Sequence, residues 1–221
     1  MTSLFHASGG LIYHLRALRH ARRLWQPYRA AVAGWLADWR PDTGHLLLLG
    51  PSGGYTLPRD FLGRFARVTA VEPDPLARLI LARRFAGLNL DWETPGADLL
   101  DPVRRHPGAA ILFCNLLGQD WRGTGGESAR TARLARLRAD LAGRSWASYH
   151  DVVSSGVAPM FHGPLRDDAA TLESLLAHFW TGGELPLVDH GTHPLGAGRP
   201  ADYVLWRLAP GRYHLVGWVT S

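Results

Sequence analysis

The sequence predicts an α/β fold, a three-layer αβα sandwich around one mostly parallel sheet. Three observations carry this. Short, continuously apolar runs such as "HLLLL" (45–49) and "AAILFC" (109–114) read as strands covered on both faces. Between them lie segments with helical spacing of apolar residues. The chain ends in two apolar runs joined by Ala209-Pro210-Gly211-Arg212, a β-hairpin pattern that adds an antiparallel ending.

The elements follow in order. Residues 1–43 read as two helices forming an N-terminal cap. Leu11, Leu15 and Leu18 fall on one face of the first. After a break at Gln26-Pro27, the residues Tyr28, Val32, Trp35, Leu36 and Trp39 recur at helical spacing in the second. Residues 44–221 read as the core, and the whole chain as one domain. After the strand at 45–49, "LPRDFLGRFA" (57–66) is predicted as helix. "RVTAVE" (67–72) is a strand rich in β-branched residues. "PDPLARLILARRFAG" (73–87) opens on proline and closes on glycine, the asymmetry a helix prefers. "LNLDWET" (88–94) is a short strand. A helix over 126–143, a strand over 145–155 and a helix in 167–180, capped by Asp167 or Asp168, complete the alternation.

Composition narrows the function classes. With 221 residues and 46% hydrophobic content, the chain can bury one sizeable core. No apolar run approaches the roughly 20 residues of a membrane span, and the first 23 residues lack a signal-peptide pattern. A single cysteine, Cys114, excludes a disulfide framework and reads as a buried strand residue. These features point to the cytoplasm. The net charge is +5, and every basic residue is arginine, as expected of a bacterial genome rich in G and C. The arginine-rich stretches 14–29 and 129–140 read as solvated helix faces. Nucleic acid is a possible partner that nothing specific indicates, and no membrane partner is expected. Oligomeric state is not legible.

The stretch "LLLLGPSGGYTLP" (46–58) raises the functional question. Ligands of such sheets sit at the carboxyl ends of the strands, and the turn after the first strand offers Gly50, Ser52, Gly53 and Gly54. Glycine lets a backbone approach a ligand closely, and the following helix presents free N–H groups. Glu72 ends the second strand, about 20 residues after Gly50, where a carboxylate can accept from both hydroxyls of a ribose.

With "VTAVEPDPLARLILARRF", "GADLL" and "AAILFCNLLGQ", this stretch resembles the successive motifs of class I S-adenosylmethionine-dependent methyltransferases, over about residues 44–155. The resemblance implies a seven-stranded sheet with a reversed strand, and S-adenosylmethionine as cofactor. It implies Gly50 and Gly54 as the outer glycines of the cofactor loop, Glu72 on the ribose, Asp98 beside the adenine and Asn115 at the methyl-transfer site. Two positions depart from the family. Leu48 stands where an acidic residue is usual, and Ser52 replaces the middle glycine, where its hydroxyl can donate to the cofactor's carboxylate.

For the methyl acceptor, strand ends offer Asn115, Gln119, Asp120 and Trp121, and Tyr149, His150 and Asp151. His150 is a candidate general base, although adjacent strand residues point to opposite faces, which counts against a direct pair with Asp151. His190 and His193 read as a hydrogen-bonded loop, and no metal is expected. Trp25, Trp35 and Trp39 read as a cap over the core, with a lid over the site as the second reading. The acceptor is not identified by the sequence. The main reading is a methyltransferase. The alternatives are a degenerate member of the fold that binds or scaffolds without catalysis, and a nicotinamide-dependent oxidoreductase, against which the loop register and the terminal hairpin argue.

Overall fold

The computed structural model describes residues 10–120, 127–167, 171–180, 185–196 and 199–221. Strands β1 (His45–Leu49), β2 (Arg67–Val71), β3 (Leu90–Glu93), β4 (Ala110–Cys114), β5 (Trp146–Ser155), β6 (Leu165–Asp167), β7 (Leu187–Asp189), β8 (Ala201–Ala209) and β9 (Arg212–Thr220) form one sheet in the order β3-β2-β1-β4-β5-β9-β8-β6, with β7 also paired to β5. The first five strands are mutually parallel, and β9 runs antiparallel to both β5 and β8. The three segments 45–50, 68–72 and 109–114 are therefore central neighbours, as predicted. The seven-stranded expectation matches β3 through β8 in that order. Two three-residue strands, β6 and β7, bring the total to nine.

Both faces of the sheet are covered. On one lie α1 (Gly10–His20), α2 (Gln26–Asp38), α3 (Arg59–Leu62) and α4 (Pro75–Arg84), packed on Leu46, Leu48, Leu112, Tyr149 and Trp218. On the other lie α5 (Asp101–Arg105), α7 (Glu127–Asp140) and α8 (Leu172–Phe179), packed on Leu47, Leu49, Ile111 and Phe113. Alternate residues of β1 and β4 thus belong to opposite cores, which is why these strands read as unbroken apolar runs. A short helix, α6 (Leu117–Asp120), follows β4.

Three expectations need correction. The leucine stripe of α1 does not face the core: Leu11, Leu15 and Leu18 are exposed, and His14 and Ala17 are buried instead. The aromatic side wins because it makes specific partners. His14 Nδ1 lies 2.9 Å from the Tyr55 hydroxyl, and Tyr13 stacks on Trp25. The helix expected over 57–66 shrinks to the four residues of α3, since Gly63 ends it and Arg64 and Phe65 continue as turns. The cap of α8 is Thr171, whose Oγ1 accepts from Ser174 N at 3.1 Å. Asp167 belongs to β6, and Asp168 lies outside the described residues. By contrast, α4 starts as expected: Asp74 caps it by accepting from Leu76 N, and Pro75 opens it.

Gly54 shows how tightly the first strand–helix unit is packed. Its φ is +65°, and a Cβ there would stand 2.4 Å from Leu81 Cδ1 and 2.6 Å from Phe85 Cε2. Gly54→Ala is therefore expected to cost roughly 1–3 kcal/mol, combining overpacking with an unfavourable backbone. Urea unfolding measures it; an unchanged midpoint would contradict this packing.

Candidate functional site

The chain leaves β1 to build β2 and β3 on one side, then returns to place β4 on the other side of β1. Strand order reverses there, and the crevice at the carboxyl ends of β1 and β4 is the expected ligand site of such a sheet. A cavity of about 70 Å³ lies at this place. Gly50, Pro51 and Ser52 after β1, Cys114 and Asn115 at the end of β4, and Tyr149 of β5 line it. Its remaining walls include Tyr13 of α1, Tyr28 of α2, and Trp206 and His214 of the terminal hairpin. The N-terminal helices thus close over the site, and the tryptophans play the structural part expected of them. Trp25 is fully buried, donates from Nε1 to Leu208 O at 2.9 Å and meets Trp206 edge-on.

The loop after β1 is set by backbone geometry. Gly50 has φ +65° and donates to Val71 O at 3.0 Å, which turns the chain sharply out of the strand. Ser52 has φ +50°, and Asn115 has φ +53°. These are the two non-glycine residues with positive φ among the described residues, and both line the same cavity. Such backbone strain, on the order of 1–3 kcal/mol per residue, persists where surrounding structure holds it and clusters at ligand sites. Asn tolerates this conformation better than Ser. In Asn115 the amide N donates to Tyr149 O at 2.8 Å, and Oδ1 accepts from Asp151 N at 2.7 Å. Asn115 therefore fastens the β4 end to β5 while lining the cavity.

Glu72 holds the loop from the side. Oε2 accepts from Ser52 N at 2.8 Å, and Oε1 accepts from Asp74 N at 3.0 Å. The residue is 7% exposed. Burial raises its pKa above the ordinary carboxyl value, and the Asp74 and Ser52 amides offset part of that rise. A carboxylate offers about four acceptor positions, so two hydrogen bonds leave it capacity for a ligand.

The other expected positions are distributed as follows. Gly53 packs against Tyr55 and Ile80, where a Cβ would meet them at 2.8 and 3.0 Å, and Gly54 against α4. These two glycines serve helix packing, and Gly50 and Ser52 face the cavity. Leu48 is fully buried in the core. Asp98 Oδ1 accepts from Leu100 N at 3.2 Å, and Oδ2 accepts from Arg104 and Arg136, at 3.2 and 2.6 Å from their Nη2 atoms. Partial desolvation raises its pKa, but the Leu100 amide and the two guanidinium groups outweigh it and hold the carboxyl below its ordinary value. Asp98 also lines a second cavity, of about 390 Å³, with Leu99, Leu117 and Arg136. It thus closes an Asx turn ahead of α5 and anchors an ion-pair cluster that includes Asp101 and Asp140. His150 lies apart from the cavity. Strand alternation turns it to the face opposite Tyr149 and Asp151, its Nδ1 lies 3.0 Å from Ser148 Oγ, and burial pushes its pKa down to about 4. Trp121 and the side chains of Gln119 and Asp120 lie outside the described residues.

Two polar atoms not anticipated from the sequence belong to residues of the cavity wall. The Tyr28 hydroxyl and Trp206 Nε1 are buried on cavity-lining residues and make no hydrogen bond among the described residues. An unmade hydrogen bond on a buried donor costs roughly 1–3 kcal/mol, so such atoms mark a place where a ligand can supply the partner. Asp151, beside Asn115, pairs with His214: Oδ2 stands 3.0 Å from Nδ1. Desolvation raises the Asp151 pKa, but His214 and His190 beside it outweigh this and bring it to about 2.

No family model and no curated protein matches the chain. Solved structures do. NodS, an N-methyltransferase from Bradyrhizobium japonicum WM9 solved with S-adenosyl-L-homocysteine, covers 90% of this chain and 88% of its own at 12% identity and a TM-score of 0.48. CalS10, a SAM-bound amino pentose methyltransferase from Micromonospora echinaspora, covers 93% and 96% at 18% identity and a TM-score of 0.41. The DhpI-SAM-HEP complex covers 93% and 94% at 16% identity and a TM-score of 0.43.

The site also makes a prediction about Cys114. It lines the cavity yet is 5% exposed, and burial pushes its thiol up to about 12. A thiol that stays protonated is a poor nucleophile. Iodoacetamide near pH 8 is expected to label Cys114 fully in urea and negligibly in the folded protein over the same time. Equal labelling rates would contradict the closed cavity.

Proposed function

We propose that the chain is an S-adenosylmethionine-dependent methyltransferase acting on an acceptor that enters the cavity between the β1 loop and the end of β4. The observation that carries the proposal is the convergence of strain. Ser52 and Asn115 are both held at positive φ, and both line one cavity at the point where strand order reverses. The residues present fit such a cofactor. Glu72, with acceptor capacity left, would hold the ribose hydroxyls. Gly50 and Ser52 would present backbone to the methionine end, and the Asp98–Leu99 segment would flank the adenine. When bound, the cofactor supplies a methyl group already activated on a sulfonium.

The chain's own residues then have three tasks. The aromatic walls Tyr13, Tyr28, Tyr149 and Trp206 exclude water. The Tyr28 hydroxyl and Trp206 Nε1 orient an acceptor bearing a hydrogen-bond-accepting atom. Asn115 fixes the β4 end against β5, so the wall does not shift as the acceptor seats. Acceptor entry requires α1 and α2 to move, because a cavity of about 70 Å³ is small beside ligand sites of roughly 300–1,000 Å³.

A second reading, a degenerate member of the fold that binds the cofactor weakly or not at all and serves as a binding or scaffold protein, is favoured by one observation: both Glu72 oxygens are engaged by the protein's own amides. Two variants separate the readings. Loss of a two-pronged carboxylate contact costs roughly 2–3 kcal/mol, so Glu72→Ala is expected to bind S-adenosylhomocysteine about 30–150-fold more weakly while remaining folded. Unchanged affinity would remove Glu72 from the site. Ser52→Gly is expected to stabilise the fold by about 1 kcal/mol, through relief of positive φ. It is also expected to weaken cofactor binding by about 1 kcal/mol, through loss of the hydroxyl. Tighter binding in this variant would mean that the hydroxyl only obstructs.

A further inference from the structure

Below the cavity, Asp151, His190 and His214 form a group of three metal-ligating side chains whose ligand atoms lie within 4.8 Å of one another. Three elements bring them together. Register slips between Asp151 and Val153 where β5 pairs with β9, and such a bulge re-aims the side chains beside it. β9 contributes His214. The antiparallel pairing of β7 with β5 brings His190, whose backbone N donates to Val152 O at 3.0 Å. Thr192 Oγ1 donates to Asp151 O at 2.6 Å and pins the loop there.

The contacts within the group differ from those of an ordinary buried ion pair. Asp151 Oδ2 and His214 Nδ1 are 3.0 Å apart, yet His214 Nδ1 and Asp151 Oδ1 are both buried without an aligned hydrogen bond. The two groups touch without a straight N–H···O. That spacing suits a shared ion: two atoms each about 2.1 Å from a metal stand roughly 3.0–3.4 Å apart at bond angles of about 90–110°. His190 Nε2 lies 3.1 Å from Ser154 Oγ, the kind of outer contact that fixes the tautomer of a metal-binding imidazole. The rings of His190 and His214 have centroids 6.2 Å apart and planes inclined by 29°.

We propose that Asp151, His190 and His214 bind a divalent first-row transition-metal ion. Two imidazoles and one carboxylate are the donor set of zinc, cobalt, nickel and ferrous sites; magnesium and calcium prefer oxygen alone. Three protein ligands leave a coordination position for water or for a donor atom of a small molecule. His214 also lines the cavity, which places the group beside it. The site rests on these side chains and not on the cofactor reading.

The test is titration of the metal-stripped full chain with zinc and with cobalt(II), followed by calorimetry and by the visible cobalt spectrum. The expected result is one equivalent bound at micromolar concentration or below, with a rise in unfolding temperature. His190→Ala and His214→Ala are each expected to weaken binding by about 100-fold or more, beyond the 10–100-fold typical of losing an outer-shell partner. His106→Ala, outside the group, is expected to bind as the wild type does. The proposal is overturned by no saturable binding at about 0.1 mM metal, or by equal binding in the two ligand variants. If those variants do not fold, zinc-edge X-ray absorption of the wild type decides. Two imidazole ligands support the site, and fewer than two overturn it.

Discussion

The carboxylate of Glu72 joins two loops at the carboxyl end of the sheet. One oxygen takes the Ser52 amide from the loop after β1, and the other takes the Asp74 amide at the entrance of α4. Because the group is buried, both bonds act in a low-dielectric setting, where an unpaired amide would be costly. The shape of the β1 loop follows: Ser52 is held at positive φ, Gly50 turns towards Val71, and the cavity opens between this loop and Asn115. α4 completes the arrangement by packing on Gly54 through Leu81 and Phe85.

The second constraint is the aromatic roof. Tyr13, Trp25, Tyr28, Tyr55 and Trp206 form a continuous set of ring contacts. Trp25 is fastened to Leu208 O, and His14 contacts Tyr55. The roof ties α1 and α2 to the terminal hairpin over the site. In the proposed function these rings must separate for a ligand to enter, so binding and movement of α1 and α2 draw on the same free energy.

Much of the fold was legible because β1 and β4 are covered on both faces, so their apolar runs are unbroken. β6 and β7 were not, since three residues carry no period. The α1 stripe misled because leucine spacing reports a face and not what covers it; the Tyr13–His14–Ala17 side had better partners. Gly50, which lines the cavity, and Glu72, which holds its loop, stand at positions that spacing after a strand singles out. The strain at Ser52 and Asn115 was not legible, because neither residue announces positive φ. The Asp151–His190–His214 group was invisible for a different reason. Its members come from β5, a loop and β9, and only antiparallel pairing and a bulge bring them together. The doubt about a direct His150–Asp151 pair proved sound, and alternation places Asp151, not His150, towards the cavity side.

In the proposed function the β1 loop, held by Glu72 and covered by the aromatic roof, is a cradle for S-adenosylmethionine. Calorimetric titration of the wild-type chain with S-adenosylmethionine, S-adenosylhomocysteine and nicotinamide dinucleotides tests it most directly. One saturable site is expected for the first two, at about millimolar affinity or better, and none for the dinucleotides. A folded protein that binds neither sulfur compound at that concentration, or that prefers a dinucleotide, would contradict it.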